Sequence, residues 1–158
     1  MTATATRQDF SDFCAQRDAQ NTIQLNVVKW TYMLCDALRQ NYIDYSIKSH
    51  ERSLQRLVGN TDTGINYHRA CIQDLKNGSC GGVDFTFESG RKYHKVIYTD
   101  GGGHRSVHCF VDKKTGEVYK SASWKSPAKG VRYDMRIIEQ REWLLQHADW
   151  AGSYLYAR

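Results

Sequence analysis

Apolar side chains in the first half of the chain recur every three or four residues, and in the second half they alternate. Phe10, Phe13 and Cys14 form one stripe, which predicts a first helix from about Asp9 to Gln20. Asn21 and Thr22 are good N-cap residues, so a second helix is predicted to start there. Ile23, Val27, Trp30, Leu34 and Leu38 then give it a core-facing stripe. Tyr42 to His50 fits either a continued helix or a short connection, and Leu54, Leu57 and Val58 suggest another helical turn or two. Gly59-Asn-Thr-Asp-Thr-Gly64 is a break rich in turn residues. A helix from about Ile65 to Lys76 follows, with Ile65, Ile72 and Leu75 on nearby faces and Gly78 just past its end as a C-cap.

From Gly82 the period becomes two. Val83, Phe85 and Phe87 alternate with polar residues, and Ser89-Gly90 turns the chain. Tyr93 to Thr99 is a second strand, the glycines after Asp100 turn again, and Arg105 to Asp112 is a third. Alternation puts Val107, Cys109 and Val111 on one face, with His108 and Phe110 on the other. Asp112-Lys-Lys-Thr-Gly116 is a hairpin loop leading into a fourth strand, Glu117 to Ser121. A last helix spans about Met135 to His147, and Tyr154-Leu-Tyr156 is either a short edge strand or an aromatic tail packed on the sheet. The predicted fold is α+β: N-terminal helices, a four-stranded antiparallel meander, and a C-terminal helix on the sheet. It forms one domain over residues 1–158, with a helical part at about 8–78 and the sheet plus last helix at about 82–158.

Length and composition fit that picture, since 158 residues with 41% hydrophobic content can bury a core without staples. The start from Met1 to Arg7 is polar and expected to fray, and no leader peptide is read there. Five cysteines without a CxxC read as reduced thiols. No apolar run approaches the roughly 20 residues of a bilayer span, so the expected location is a cytoplasm. A net charge of +5 favours acidic partners.

The strongest chemical signal is the stretch from Tyr119 to Tyr133, which lacks acidic residues. Lys120, Lys125, Lys129 and Arg132 supply charge for phosphates, Ser121 supplies a neutral donor, and Trp124 supplies a face for a base. Pro127 and Gly130 shape a loop whose amides can converge on an oxyanion. The bland reading is a solvated loop in which Trp124 caps the core and lysines snorkel past it. Asp100-Gly-Gly-Gly-His-Arg105 can likewise cradle a phosphate, but it sits in a hairpin and reads more simply as a flexible turn. His94 and His108 are expected close together across neighbouring strands as ordinary sheet histidines, with Cys109 on the opposite face from His108. Asp84, Asp112 and Lys114 match the two acids and a lysine of metal-dependent nucleases, against which stands the turn preference of Asp. No metal site and no cofactor are read from the spacing.

The blocks Arg105-Ser-Val-His-Cys-Phe-Val-Asp112 and Gly116-Glu-Val-Tyr-Lys-Ser-Ala-Ser-Trp-Lys-Ser-Pro-Ala-Lys-Gly-Val-Arg-Tyr-Asp134, with the ending Asp149-Trp-Ala-Gly-Ser-Tyr-Leu-Tyr156, resemble a group of small uncharacterised proteins of tailed phages, especially marine and cyanobacterial ones. The resemblance covers the last third of the chain and implies a phage origin without a mechanism. The expected function is a non-catalytic phage accessory protein of the host cytoplasm that binds nucleic acid or a phosphate-bearing small molecule through Lys120, Ser121, Trp124, Lys125, Lys129, Arg132 and Arg105. The alternatives are a virion or assembly protein, which would oligomerise, and the metal-dependent nuclease.

Overall fold

The computed structural model describes residues 7–57, 59 and 62–156. Met1 to Thr6 of the predicted frayed start, Val58 of the predicted further helical turn, and Asn60 and Thr61 of the predicted break lie outside the described residues.

The two predicted N-terminal helices are one. Helix α1 runs unbroken over Arg7–Arg56, 50 residues or about 75 Å. No glycine or proline occurs before Gly59, so nothing in the backbone stops it. Thr22, expected to cap a second helix, instead bonds its Oγ1 back to the Asp18 carbonyl at 3.0 Å and lets the helix pass. Helix α2, Asp62–Lys76, folds back against α1. It is lightly anchored, because among its described side chains only Leu75 is buried.

The sheet has five strands rather than four: β1 (Asp84–Ser89), β2 (Tyr93–Thr99), β3 (Arg105–Asp112), β4 (Glu117–Lys120) and β5 (Tyr133–Asp134). All pairs are antiparallel in the order β1-β2-β3-β4-β5. The fifth strand is two residues long, too short to show any alternation in sequence. Helix α3, Ile138–His147, starts three residues later than Met135, which instead points into the core.

One face of the sheet carries the main core. Val27, Leu34, Cys35 and Leu38 of α1 meet Phe85, Val96, Cys109, Val111 and Val118, joined by Leu144 and Ala148 from the end of α3. Each large apolar side chain sealed there is worth about 1.5–3 kcal/mol. The chain end closes this core as a packed tail: Ser153–Leu155 is a 3-10 turn, Tyr154 and Leu155 are buried, and the Tyr133 hydroxyl donates to the Tyr154 carbonyl at 2.6 Å. Arg39 ties α1 to the sheet edge, donating to Asp84 Oδ1 at 2.6 Å and to the Phe85 carbonyl at 2.7 Å.

A β-bulge reverses part of the predicted alternation. Val96 pairs with Cys109 and Ile97 with Val107, so His108 is the extra, unpaired residue. His108 turns to the core side with Cys109, its ring 5.5 Å from Phe85 and its Nε2 2.7 Å from the Tyr154 hydroxyl. Val107 and Arg105 shift to the outer face with Phe110. The expected His94–His108 juxtaposition is also absent, because His94 stands opposite Val111. His94 bonds Ser89 Oγ at 2.8 Å instead.

Candidate nucleic-acid interface

Helices α1 and α3 both pack on the core face, and α2 packs on α1. The outer face is left to short loops. Strand alternation places Tyr93, Lys95 and Ile97 of β2 there, with Arg105, Val107 and Phe110 of β3 and Tyr119 of β4. Phe110 and Ile97 are buried although they lie outside the main core cluster. The loop after β4 covers this side, and its Trp124 remains 41% exposed.

Aromatic rings and cations alternate across this surface. Tyr93 lies edge-on to Phe110 at 5.6 Å and to Tyr119 at 6.0 Å. Lys95 Nζ sits 4.8 Å from the Trp124 ring centre, and Arg105 Cζ sits 5.5 Å from it. Lys92 stands 5.3 Å over Tyr93. Beside these lies a cavity of about 270 Å³ whose wall includes Arg91, Lys92, Lys95 and Lys125, with Glu88 as its single carboxylate. Glu88 pairs with Arg105. The Tyr119 hydroxyl donates to Glu117 at 3.0 Å, and burial together with that carboxylate pushes its pKa up to about 12, so it stays a neutral phenol.

The residues expected to form one site divide between the two faces. Trp124, Lys125 and Arg105 belong to the outer face. Lys120 pairs with Cys109 in register and turns to the other side, its Nζ 4.8 Å over the Tyr156 ring. Arg132 is occupied by the protein's own backbone, donating to the carbonyls of Leu155 (2.6 Å), Gly130 (2.8 Å) and Lys129 (3.1 Å). Gly130, at φ +97, makes that bend without a side chain in the way. Ser121 donates to the Val107 carbonyl at 3.0 Å, stitching the loop to β3. Lys129 is exposed, and no contact draws it to Trp124.

The nuclease triad is not assembled. Asp84 begins β1 opposite Thr99, which pairs with Arg105 at the start of β3, whereas Asp112 ends β3. Eight residues of strand put the two acids roughly 20 Å apart. Asp84 is held by Arg39, and Asp112 Oδ1 accepts the amides of Lys114 and Thr115, a turn-closing role. Among the described residues no three His, Cys, Asp or Glu side chains stand ready around a metal position. The glycine turn is likewise self-contained: Asp100 Oδ1 takes the amides of Gly102 and His104 at 2.9 Å each.

Lys92, Lys95, Tyr93 and Phe110 escaped the sequence reading. Their signal was present in the alternation Tyr93-x-Lys95-x-Ile97, which marks an outer face mixing rings and charge. Attention to a contiguous basic run missed it, because a sheet surface is contiguous across strands and not along them.

No curated protein and no solved structure matches the chain. Residues 10–157 match the model of a family of unknown function, DUF7717, and the chain belongs to that family.

Proposed function

We propose that the outer sheet face binds single-stranded nucleic acid, with Trp124 as a base-stacking platform and Lys95, Arg105, Lys92 and Lys125 as phosphate partners. The observation that carries this reading is the exposed Trp124 ring with two cations from neighbouring strands within 6 Å of its centre. An exposed cation–π contact is worth about 0.5–1 kcal/mol, and a base stacked on an aromatic ring about 1–3 kcal/mol. A base therefore displaces a cation from the ring at a net gain, and the released cation is placed to meet the phosphate beside that base. No described helix covers this face, which leaves room for a strand to cross the exposed Trp124 and the half-buried Tyr93. The likeness of the last third to tailed-phage proteins fits an accessory role in handling nucleic acid in the host cytoplasm.

Titration of labelled oligo-dT at two salt concentrations tests this. Each neutralised phosphate adds about 0.7 to the slope of log affinity against log salt for single strands. Lys95→Ala with Arg105→Ala should lower that slope by about 1.4. Trp124→Ala should weaken binding roughly 5- to 150-fold, and Trp124→Phe much less. Lys120→Ala, on the other face, should change little. Absence of binding at low salt overturns the proposal, as does a larger loss from Lys120→Ala than from Lys95→Ala.

A second reading, an assembly protein, is favoured by one feature. Every described residue from Phe10 to Thr22 is exposed, and Phe10, Phe13 and Leu25 expose 66%, 56% and 71% of their surface on α1. At the other end of the described chain, Tyr154 and Leu155 are packed, Tyr156 is 66% exposed, and Trp150 is wedged among Tyr42, Tyr45 and Tyr98. Light scattering on the eluted protein decides whether α1 self-associates.

A further inference from the structure

The cavity on the outer sheet face has a property that stacking on Trp124 does not use. Arg91, Lys92, Lys95 and Lys125 all line its volume of about 270 Å³. Among the described residues none of these cations forms an ion pair. The carboxylate in the wall, Glu88, is taken by Arg105. The cations therefore share one concavity with no counter-charge from the protein left to neutralise them. A cleft lined by one sign of charge focuses its field and concentrates ions of the opposite sign.

The cavity is also held in shape. Ser89, Gly90, Arg91 and Lys92, at the turn from β1 to β2, make one wall. The Gly90 amide donates to the Tyr93 carbonyl at 2.8 Å, and the Lys113 amide donates to the Lys92 carbonyl at 2.9 Å. Lys113 Nζ donates to the Gly90 carbonyl at 3.0 Å, bracing the turn from β3. Lys95 belongs to two places at once, lining the cavity while its Nζ sits 4.8 Å from the Trp124 ring centre. Lys125, another lining residue, directly follows Trp124 in the chain. A base on Trp124 thus has the cavity beside it.

We propose, resting on the nucleic-acid reading above, that this cavity takes a terminal phosphomonoester, so that the face prefers the phosphorylated end of a strand. An internal phosphodiester brings one negative charge. A monoester brings about −1.5 to −2 at pH 7 and three strong acceptor oxygens. The planar Arg91 fork can meet two of those oxygens in parallel, and the lysines act as point charges around the third. The braced turn closes one side of the cavity, and a strand end needs no exit past it.

The test is displacement of labelled oligo-dT from full-length protein by unlabelled oligo-dT of the same length ending in hydroxyls, in a 5′-phosphate or in a 3′-phosphate. Thymidine monophosphate and inorganic phosphate serve as free sources of the same chemistry. A phosphorylated end of one polarity should displace the probe at a concentration about tenfold lower than hydroxyl ends do, the worth of one charge-assisted hydrogen bond. Its salt slope should be steeper by about 0.7. Arg91→Ala should bring the ratio of the two affinities toward one, while Lys120→Ala, on the other face, leaves that ratio unchanged. Equal displacement by hydroxyl-ended and phosphorylated strands overturns this inference and leaves the single-strand reading standing. Loss of all oligo-dT binding at low salt overturns both. A preference indifferent to Arg91→Ala overturns the assignment to this cavity. Thymidine monophosphate or inorganic phosphate matching the phosphorylated strand in potency supports the monoester and overturns the strand end as its source.

Discussion

Acid should unfold this protein earlier than its carboxylates dictate, and His108 is the reason. The bulge drives this imidazole under the chain end, where burial lowers its pKa from 6.5 to about 4 despite the nearby Asp149 carboxylate. The unfolded chain binds a proton at its ordinary pKa, and the folded chain refuses it until far lower pH. Stability from this group is complete above about pH 6.5 and is lost as pH falls toward 4. At 1.36 kcal/mol per unit, the loss between pH 7 and pH 4.5 is about 2–3 kcal/mol. His94, also lowered by burial and by Lys113, adds to the loss in the same direction. Asp100 and Asp134, whose folded pKa values lie below the usual carboxylate range, act only at still lower pH, so the window above pH 4.5 isolates the histidines. Urea unfolding at pH 7 and 4.5 measures the difference, and His108→Gln, whose amide can still hydrogen-bond the Tyr154 hydroxyl, should shrink it. Equal stability at the two pH values, or an NMR titration of His108 near 6.5, refutes the reasoning.

Other outcomes follow from the same geometry. Arg132→Ala should destabilise the fold by about 1–3 kcal/mol, since it takes the charged donor from the part-buried Leu155 carbonyl while the exposed Lys129 and Gly130 carbonyls turn to water, and calorimetry should show the melting temperature drop while Lys129→Ala leaves it unchanged. Asp112→Ala should cost about 1–2 kcal/mol in urea unfolding through its lost turn bonds. It should leave any trace of magnesium-dependent cleavage in the preparation unaltered. Glu88→Gln releases Arg105 from its ion pair, so oligo-dT affinity should rise by a fewfold in the anisotropy titration and become steeper in salt.

Sequence made some of this legible and hid the rest for physical reasons. The period of two, broken by Ser89-Gly90, Asp100-Gly-Gly-Gly103 and the Asp112–Gly116 loop, announced four strands in the places where they occur. Helix α1 read as two pieces because Asn21 and Thr22 look like caps. Only its absence of glycine and proline, and Thr22 bonding backward, show why it continues. The bulge at His108 was invisible, since one extra residue leaves the alternation of Val107, Cys109 and Val111 intact on paper while turning Val107 to the other face. That same blindness scattered the candidate site. Lys120 and Trp124 are four residues apart yet lie on opposite sides of the sheet, whereas Lys95 and Trp124, far apart in the chain, touch.

Backbone amide shift mapping with oligo-dT on isotope-labelled protein tests the central claim most directly. The account predicts perturbations concentrated on β2, β3 and the loop around Trp124, led by Lys95, Arg105 and the Trp124 indole N–H, with α3 and the chain end quiet. Shifts centred on Lys120, Arg132 and Tyr156, or no shifts at all at low salt, contradict it.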